Sequence, residues 1–172
     1  NQQLFVDDPV LWQQPDFWAS PLEFIGAGGG DCEDFAIAKF FTLLELGISA
    51  DKLRITYVKA LKLNQFHMVL AYYPRPDAEP LILDNLIGEL RKAGQRRDLL
   101  PIYSFNASSL WLAKAQGSGQ RVGGSERLGL WQGLRTRMLG HEWQRPPALE
   151  RRLRSAPATL NEVGVAAAPL SQ

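Results

Sequence analysis

The sequence predicts an α+β domain, with one helix packed on an antiparallel β-sheet. Three observations carry that prediction: a glycine run leading into an apolar stripe of helical period, three β-rich segments in succession separated by turn residues, and an ordinary globular composition. The 172 residues are 45% hydrophobic and 22% charged, outside the disordered class, and enough for one core. We expect one domain over residues 1–143 and a mobile C-terminal tail over residues 144–172.

From Asn1 to Pro21, Phe5, Trp12, Phe17 and Trp18 stand among Pro and Gln, which predicts irregular or short helical structure pinned by aromatics. The glycine run Gly26 to Gly30 ends this segment. Asp31 to Leu46 then carries Ala36, Phe40, Leu43 and Leu44 as a helical stripe, with Gly47 where a helix C-terminus wants it. Leu53 to Ala60, Phe66 to Tyr73 and Leu81 to Asp84 read as consecutive antiparallel strands. The loops between them hold Asn64-Gln65 and Pro74-Arg75-Pro76-Asp77. Tyr103 to Phe105 and Ser109 to Leu112 add strand or edge material. Gln116 to Gly124 reads as a flexible link, followed by a second helical stripe at Leu128, Trp131, Leu134 and Met138. Beyond Trp143 the sequence turns to Pro, Ala and Arg without periodicity.

Lys+Arg 19 against Asp+Glu 18 leaves a net charge of +1, so whole-chain charge points neither to nucleic acid nor to an anionic membrane. No apolar stretch is long enough to span a bilayer, and Asn1 to Asp8 lack the pattern of a secretion signal. A single cysteine, Cys32, excludes an intrachain disulfide framework and a multi-cysteine zinc site.

Cys32 follows the glycine run at the first turn of the expected helix, where backbone N–H groups and the helix dipole favour a thiolate and can stabilise an oxyanion. His67 falls early in the second strand, on the face shared by Val69 and Ala71. Asp84 ends the next strand, within reach of the imidazole if the two strands are neighbours. Such a trio supplies a nucleophile, a general base and an orienting carboxylate. Taken singly, each residue also has a packing explanation. A zinc site from the same trio has only His141 left as a further imidazole donor. Phosphate binding by the glycines lacks the Lys-Ser/Thr that should follow.

Asp31, Glu33 and Asp34 flank Cys32, and as anions they oppose its ionisation. They fit two readings: carboxylates favoured at a helix N-terminus, with Asp31 as N-cap, or oxygen ligands of a hard cation.

The run GGGDCEDFAIAKFFTLLELGI, continued by KLRITYVKALKLNQFHMVLAYYP and EPLILDNLIGEL, resembles the bacterial transglutaminase-like cysteine proteinases of the LapG type, periplasmic adhesin proteases. The resemblance spans about Val10 to Lys114. It implies a papain/transglutaminase-like fold, with the nucleophile helix on an antiparallel sheet and Cys32, His67 and Asp84 at the positions of the family's triad. It implies calcium (Ca2+) dependence, with Asp31, Glu33 and Asp34 at the family's calcium-binding carboxylates, and so favours a cation over helix capping. It further implies a periplasmic enzyme that cuts a large surface adhesin near its N-terminus beside paired alanines, dispersing a biofilm. The partner implied is the periplasmic domain of a transmembrane cyclic-diguanylate receptor, which would sequester the protease. Trp12 and Trp18 are candidate receptor anchors, or else core aromatics. Acyl transfer, deamidation and a non-catalytic peptide-binding module remain the competing functions. The alanines Ala166 to Ala168 look like the implied target, which raises binding of the tail in the active cleft as a further expectation.

Overall fold

A helix that begins at a cysteine organises the molecule, and the reason lies in its two apolar flanks. The computed structural model describes residues 1–113 and 119–149. In chain order the elements are β1 (Leu4–Phe5), α1 (Asp8–Leu11), α2 (Pro21–Ala27), β2 (Gly29–Gly30), α3 (Cys32–Glu45), β3 (Leu53–Ala60), β4 (Gln65–Tyr72), β5 (Leu81–Leu83), β6 (Arg91–Lys92), β7 (Leu99–Phe105), β8 (Leu110–Leu112), β9 (Gln120–Gly123) and α4 (Gly129–Gly140). On α3, Ala36, Ile37 and Phe40 join the main core with Leu53, Ile55, Met68, Leu70 and Phe105 of the sheet. Phe35 turns the other way, into a cluster with Trp12, Phe17, Ala19 and Phe24. The helix stops at Leu46, and Gly47 takes φ +86° while the Gly47 and Ile48 amides donate to Leu44 and Leu43 carbonyls, the glycine ending expected from sequence.

Seven strands form one sheet in the order β6-β5-β4-β3-β7-β8-β9, and every neighbouring pair is antiparallel. Alternation on β4 holds as expected: Met68 and Leu70 enter the core under α3, whereas Val69 and Ala71 join Val58 and Ile82 in a separate cluster. The β3–β4 turn uses Asn64 in the left-handed region at φ 52°, a conformation Asn tolerates better than most side chains. β5 pairs only with Leu70 to Tyr72 of β4, which leaves the His67 end of β4 without a strand on that side.

One expectation changes. Gln120–Gly123, expected within a flexible link, is strand β9 paired with β8, because Leu112 and Trp111 extend the sheet edge that it completes. The amino-terminal segment is irregular with one short helix, as expected, plus the two-residue β1 that pairs in parallel with β2, and Trp12 and Trp18 are buried among the core aromatics, the second of the two roles expected of them. Of the expected tail, Pro146 is buried and the Gln144 amide donates to Glu23 Oε1. Residues 150–172, including Ala166 to Ala168, lie outside the described residues. No helix among the described residues is long and apolar enough to cross a membrane.

Candidate active site

The tip of α3 is placed by what precedes it. Ser20 caps α2 in a capping box with Glu23, and Gly28 ends that helix at φ +76°. Gly29 and Gly30 then lie buried beside β1, so close that a Cβ on Gly29 would stand 2.5 Å from the Leu4 carbonyl oxygen and one on Gly30 would overlap the Asp34 carboxylate. Asp31 is N-cap by backbone geometry but makes no side-chain capping bond, so capping does not account for its charge.

Cys32 and His67 line one cleft of about 510 Å³. The imidazole is buried, and its Nε2 lies 2.8 Å from Asp84 Oδ1, the juxtaposition expected of neighbouring strands β4 and β5. The Asp84 carboxylate is buried too. Burial alone would raise its pKa, but hydrogen bonds from His67, the Leu86 amide and Arg96 outweigh that and hold it at about 2. With Nε2 engaged by the carboxylate, Nδ1 is the ring nitrogen left for the cleft.

Sulfur has a different immediate partner. Cys32 Sγ donates to Glu33 Oε2 at 2.9 Å. Burial, the Glu33 charge and this hydrogen bond push the thiol well above its usual range, opposed by the Met68 backbone N–H. That amide places the sulfur one residue along the chain from His67. Without a compensating positive charge, the thiol stays protonated.

The acidic cluster is arranged differently from its sequence order. Asp31 and Glu33 converge with Asp8, each offering an oxygen within 4.8 Å of the others. Asp34 stands outside that group: it is fully buried beneath Gly30, and its Oδ1 accepts from the Ala19 amide at 2.7 Å. Asp8 lies far upstream at the start of α1, where its Oδ2 accepts from the Phe17 amide. Sequence gave no signal for Asp8, since only the return of the chain past Phe17 brings it to α3. Burial and mutual repulsion raise Asp31 to about 10 and Asp8 to about 6. One oxygen of each, Asp31 Oδ1 and Asp8 Oδ1, is buried with no partner among the described residues. Three crowded carboxylates, two of them with an orphaned oxygen, suit a hard cation that takes oxygen ligands. Among the described residues this is the one such group, and neither Cys32 nor His141 belongs to it, which removes the basis for a zinc site.

The cleft wall beside Cys32 is aromatic. Tyr57 stacks on Tyr103 across β3 and β7 (5.1 Å between centroids) and on Phe66 of β4 (5.2 Å). All three line the cleft with Trp18, Arg127 and Leu130.

Comparison with known proteins agrees with this architecture. Residues 1–100 match the family described as bacterial transglutaminase-like cysteine proteinase, BTLCP. The chain belongs to this family. Among solved structures, the cysteine proteinase is similar to LapG of Legionella pneumophila in three forms. EGTA-treated LapG is 53% identical, with a TM-score of 0.71 over 80% of this chain and 72% of that one. A second LapG structure has the same identity and TM-score, covering 80% and 70%. Calcium-bound LapG, again 53% identical, gives 0.69 over 80% and 73%. No curated protein matches. The cysteine proteinase thus has the transglutaminase-like fold, a helix on an antiparallel sheet, as its sequence predicts.

Proposed function

We propose that this chain is a calcium-dependent cysteine endopeptidase in which Cys32 is the nucleophile, His67 the general base and then acid, and Asp84 the residue that orients the imidazole. The observation that carries this reading is the opening of Cys32, at the tip of α3, onto the same cleft as the His67–Asp84 pair. His67 Nδ1 takes the thiol proton as sulfur attacks the scissile carbonyl carbon. The tetrahedral oxyanion forms beside the first backbone N–H groups of α3, where the helix dipole favours negative charge. Collapse breaks the C–N bond, with the proton passing from His67 to the leaving amine. Water, deprotonated by the same imidazole, then hydrolyses the thioester and returns the proton to sulfur.

Asp8, Asp31 and Glu33 are the residues that would hold calcium, with backbone carbonyls and water completing its shell. Bound there, the ion supplies the positive charge that offsets the acids beside the thiol. Its support is the converging carboxylates here and the existence of calcium-bound and EGTA-treated forms of the similar LapG.

The substrate we propose is a large surface adhesin cut near its N-terminus beside paired alanines, freeing it and promoting biofilm dispersal. The compartment is the periplasm, and the negative regulator is the periplasmic domain of a cyclic-diguanylate receptor that sequesters the enzyme. These three come from the family resemblance. A peptide in extended form would run along the aromatic wall of Phe66, Tyr57 and Tyr103, which gives its backbone flat surfaces to lie on.

Incubating the chain with an adhesin N-terminal fragment that carries an alanine pair, with calcium or with a chelator, tests the reading. Mass spectrometry should show two cleaved products in calcium and intact fragment in chelator. Cross-linked or deamidated fragment would replace the peptidase reading with acyl transfer, and no modification of any kind in calcium would remove it.

A further inference from the structure

Arg96 is a buried guanidinium outside the cleft, and its contacts fall on two carboxylates. It follows the turn of residues 93–95, on the connection that leaves the edge strand β6 and returns to the sheet at β7. Its side chain is 2% exposed, and Asp84's not at all. Arg96 Nη2 donates to Asp84 Oδ2 at 2.8 Å, while Nε and Nη2 fork onto the two oxygens of Asp98 at 3.0 and 2.8 Å. Nη1 has no partner among the described residues.

An account of the Asp84 oxygens shows what this does. Oδ1 accepts from His67 Nε2 and from the Leu86 amide at 3.0 Å. Oδ2 accepts from Arg96. With Oδ1 alone held, the carboxylate could rotate about its bond to Cβ and carry Oδ1 out of line with the imidazole. A second donor at Oδ2 removes that rotation, and Asp98 fixes the donor in turn through the planar fork that suits guanidinium to carboxylate.

We propose that Arg96 is a positioning residue of the active site, locking the Asp84 carboxylate so that Oδ1 orients His67, with Asp98 setting Arg96 from behind. The proposal rests on the reading of Cys32, His67 and Asp84 as the triad. Arg96 touches neither the thiol nor the cleft, so it acts through Asp84 alone.

The test uses the full chain with calcium and the alanine-pair adhesin fragment. Arg96→Met should lower kcat by roughly ten- to a hundredfold, by analogy with the loss of outer hydrogen-bond partners of metal ligands, with KM little changed. Arg96→Lys, which keeps the charge but cannot fork, should recover part of that loss. The proton shared by His67 Nε2 and Asp84, followed as a low-field NMR signal, should broaden or move upfield in Arg96→Met. In an Asp84→Asn background, Arg96→Met should cost almost nothing further, since residues acting through one another are not additive. An undiminished cost in that background, or wild-type kcat and an unmoved signal in Arg96→Met, overturns the proposal. Should Arg96→Met not fold, Asp98→Asn serves instead. Asp98 is partly exposed, and its replacement should lower kcat by roughly threefold and shift the same signal; no change in either overturns the proposal. If Asp84→Asn itself cuts at the wild-type rate, it is the triad that fails, a result distinct from a normal triad indifferent to Arg96.

Discussion

Each side chain around Cys32 answers to a different constraint, so substitutions there should separate chemistry, metal and fold. Cys32→Ala removes the proposed nucleophile and leaves a methyl group in a half-buried position, so cleavage should fall at least about a thousandfold with the melting temperature close to wild type. Residual cleavage near the wild-type rate would show that the sulfur is not the nucleophile. Asp8→Asn keeps an acceptor for the Phe17 amide but removes a charge from the converging carboxylates, so calcium affinity measured by calorimetry should fall by about tenfold. Asp34→Ala leaves the buried Ala19 amide without its acceptor and should cost about 1–3 kcal/mol in urea unfolding, with calcium affinity changed less than by Asp8→Asn. The reverse pattern would place Asp34, not Asp8, among the ligands. Local sequence could nominate Asp31, Glu33 and Asp34 because they adjoin a cysteine at a helix start. It could not nominate Asp8 or Arg96, which are brought to the site by tertiary folding and carry no spacing that betrays it. Nor could it foresee that Asp34 turns inward beneath Gly30, a matter of which way the first turn of α3 is rolled.

At the level of elements, the pieces with a strong period were legible and those stabilised by pairing alone were not. The stripe from Ala36 to Leu44 specified α3 to within a residue, and Leu53–Ala60 matches the expected strand. His67 and Asp84 could be joined because consecutive antiparallel strands put them side by side. β1 and β2 have two residues each, too short for any alternation to register, and β9 is rich in glycine and glutamine neighbours that mimic a linker. The second helical stripe was legible as well, and Trp131 shows why it docks. This indole is fully buried, edge-on to Phe40 (5.7 Å) and Phe105 (5.3 Å) and stacked on Phe41 (5.8 Å). Trp131→Ala should therefore cost about 3–5 kcal/mol in urea unfolding. It should also raise KM, because its neighbours Leu130 and Arg127 line the cleft; a loss under about 1 kcal/mol would mean that α4 is only lightly attached.

For the molecule as a whole, the acids act in opposite senses on stability. Asp84, held down at about 2, contributes stability above the ordinary carboxylate range that disappears as pH falls from about 4 to about 2. Asp8, Asp34 and Asp31 are raised to about 6, 8 and 10. The folded chain keeps these protons where the unfolded chain has released them, so stability falls as pH climbs from about 4 towards 10. Calcium held by Asp8 and Asp31, as proposed, should offset their share of that decline and release protons on binding. Thermal melts across this range should therefore slope downward in chelator and flatten in calcium; parallel curves would mean that the ion does not reside on these carboxylates. The pairing of Leu4–Phe5 with Gly29–Gly30 has a last consequence. It works as a strut, propping the peptide just ahead of the sulfur from a stretch of chain that has no chemistry of its own. Val6→Pro, which removes the amide that donates to the Gly30 carbonyl and leaves Asn1 on the Asp84 carbonyl, should lower cleavage while every reacting group stays in place, and a hydrogen-exchange map would find the loosening at 28–31 rather than around the imidazole.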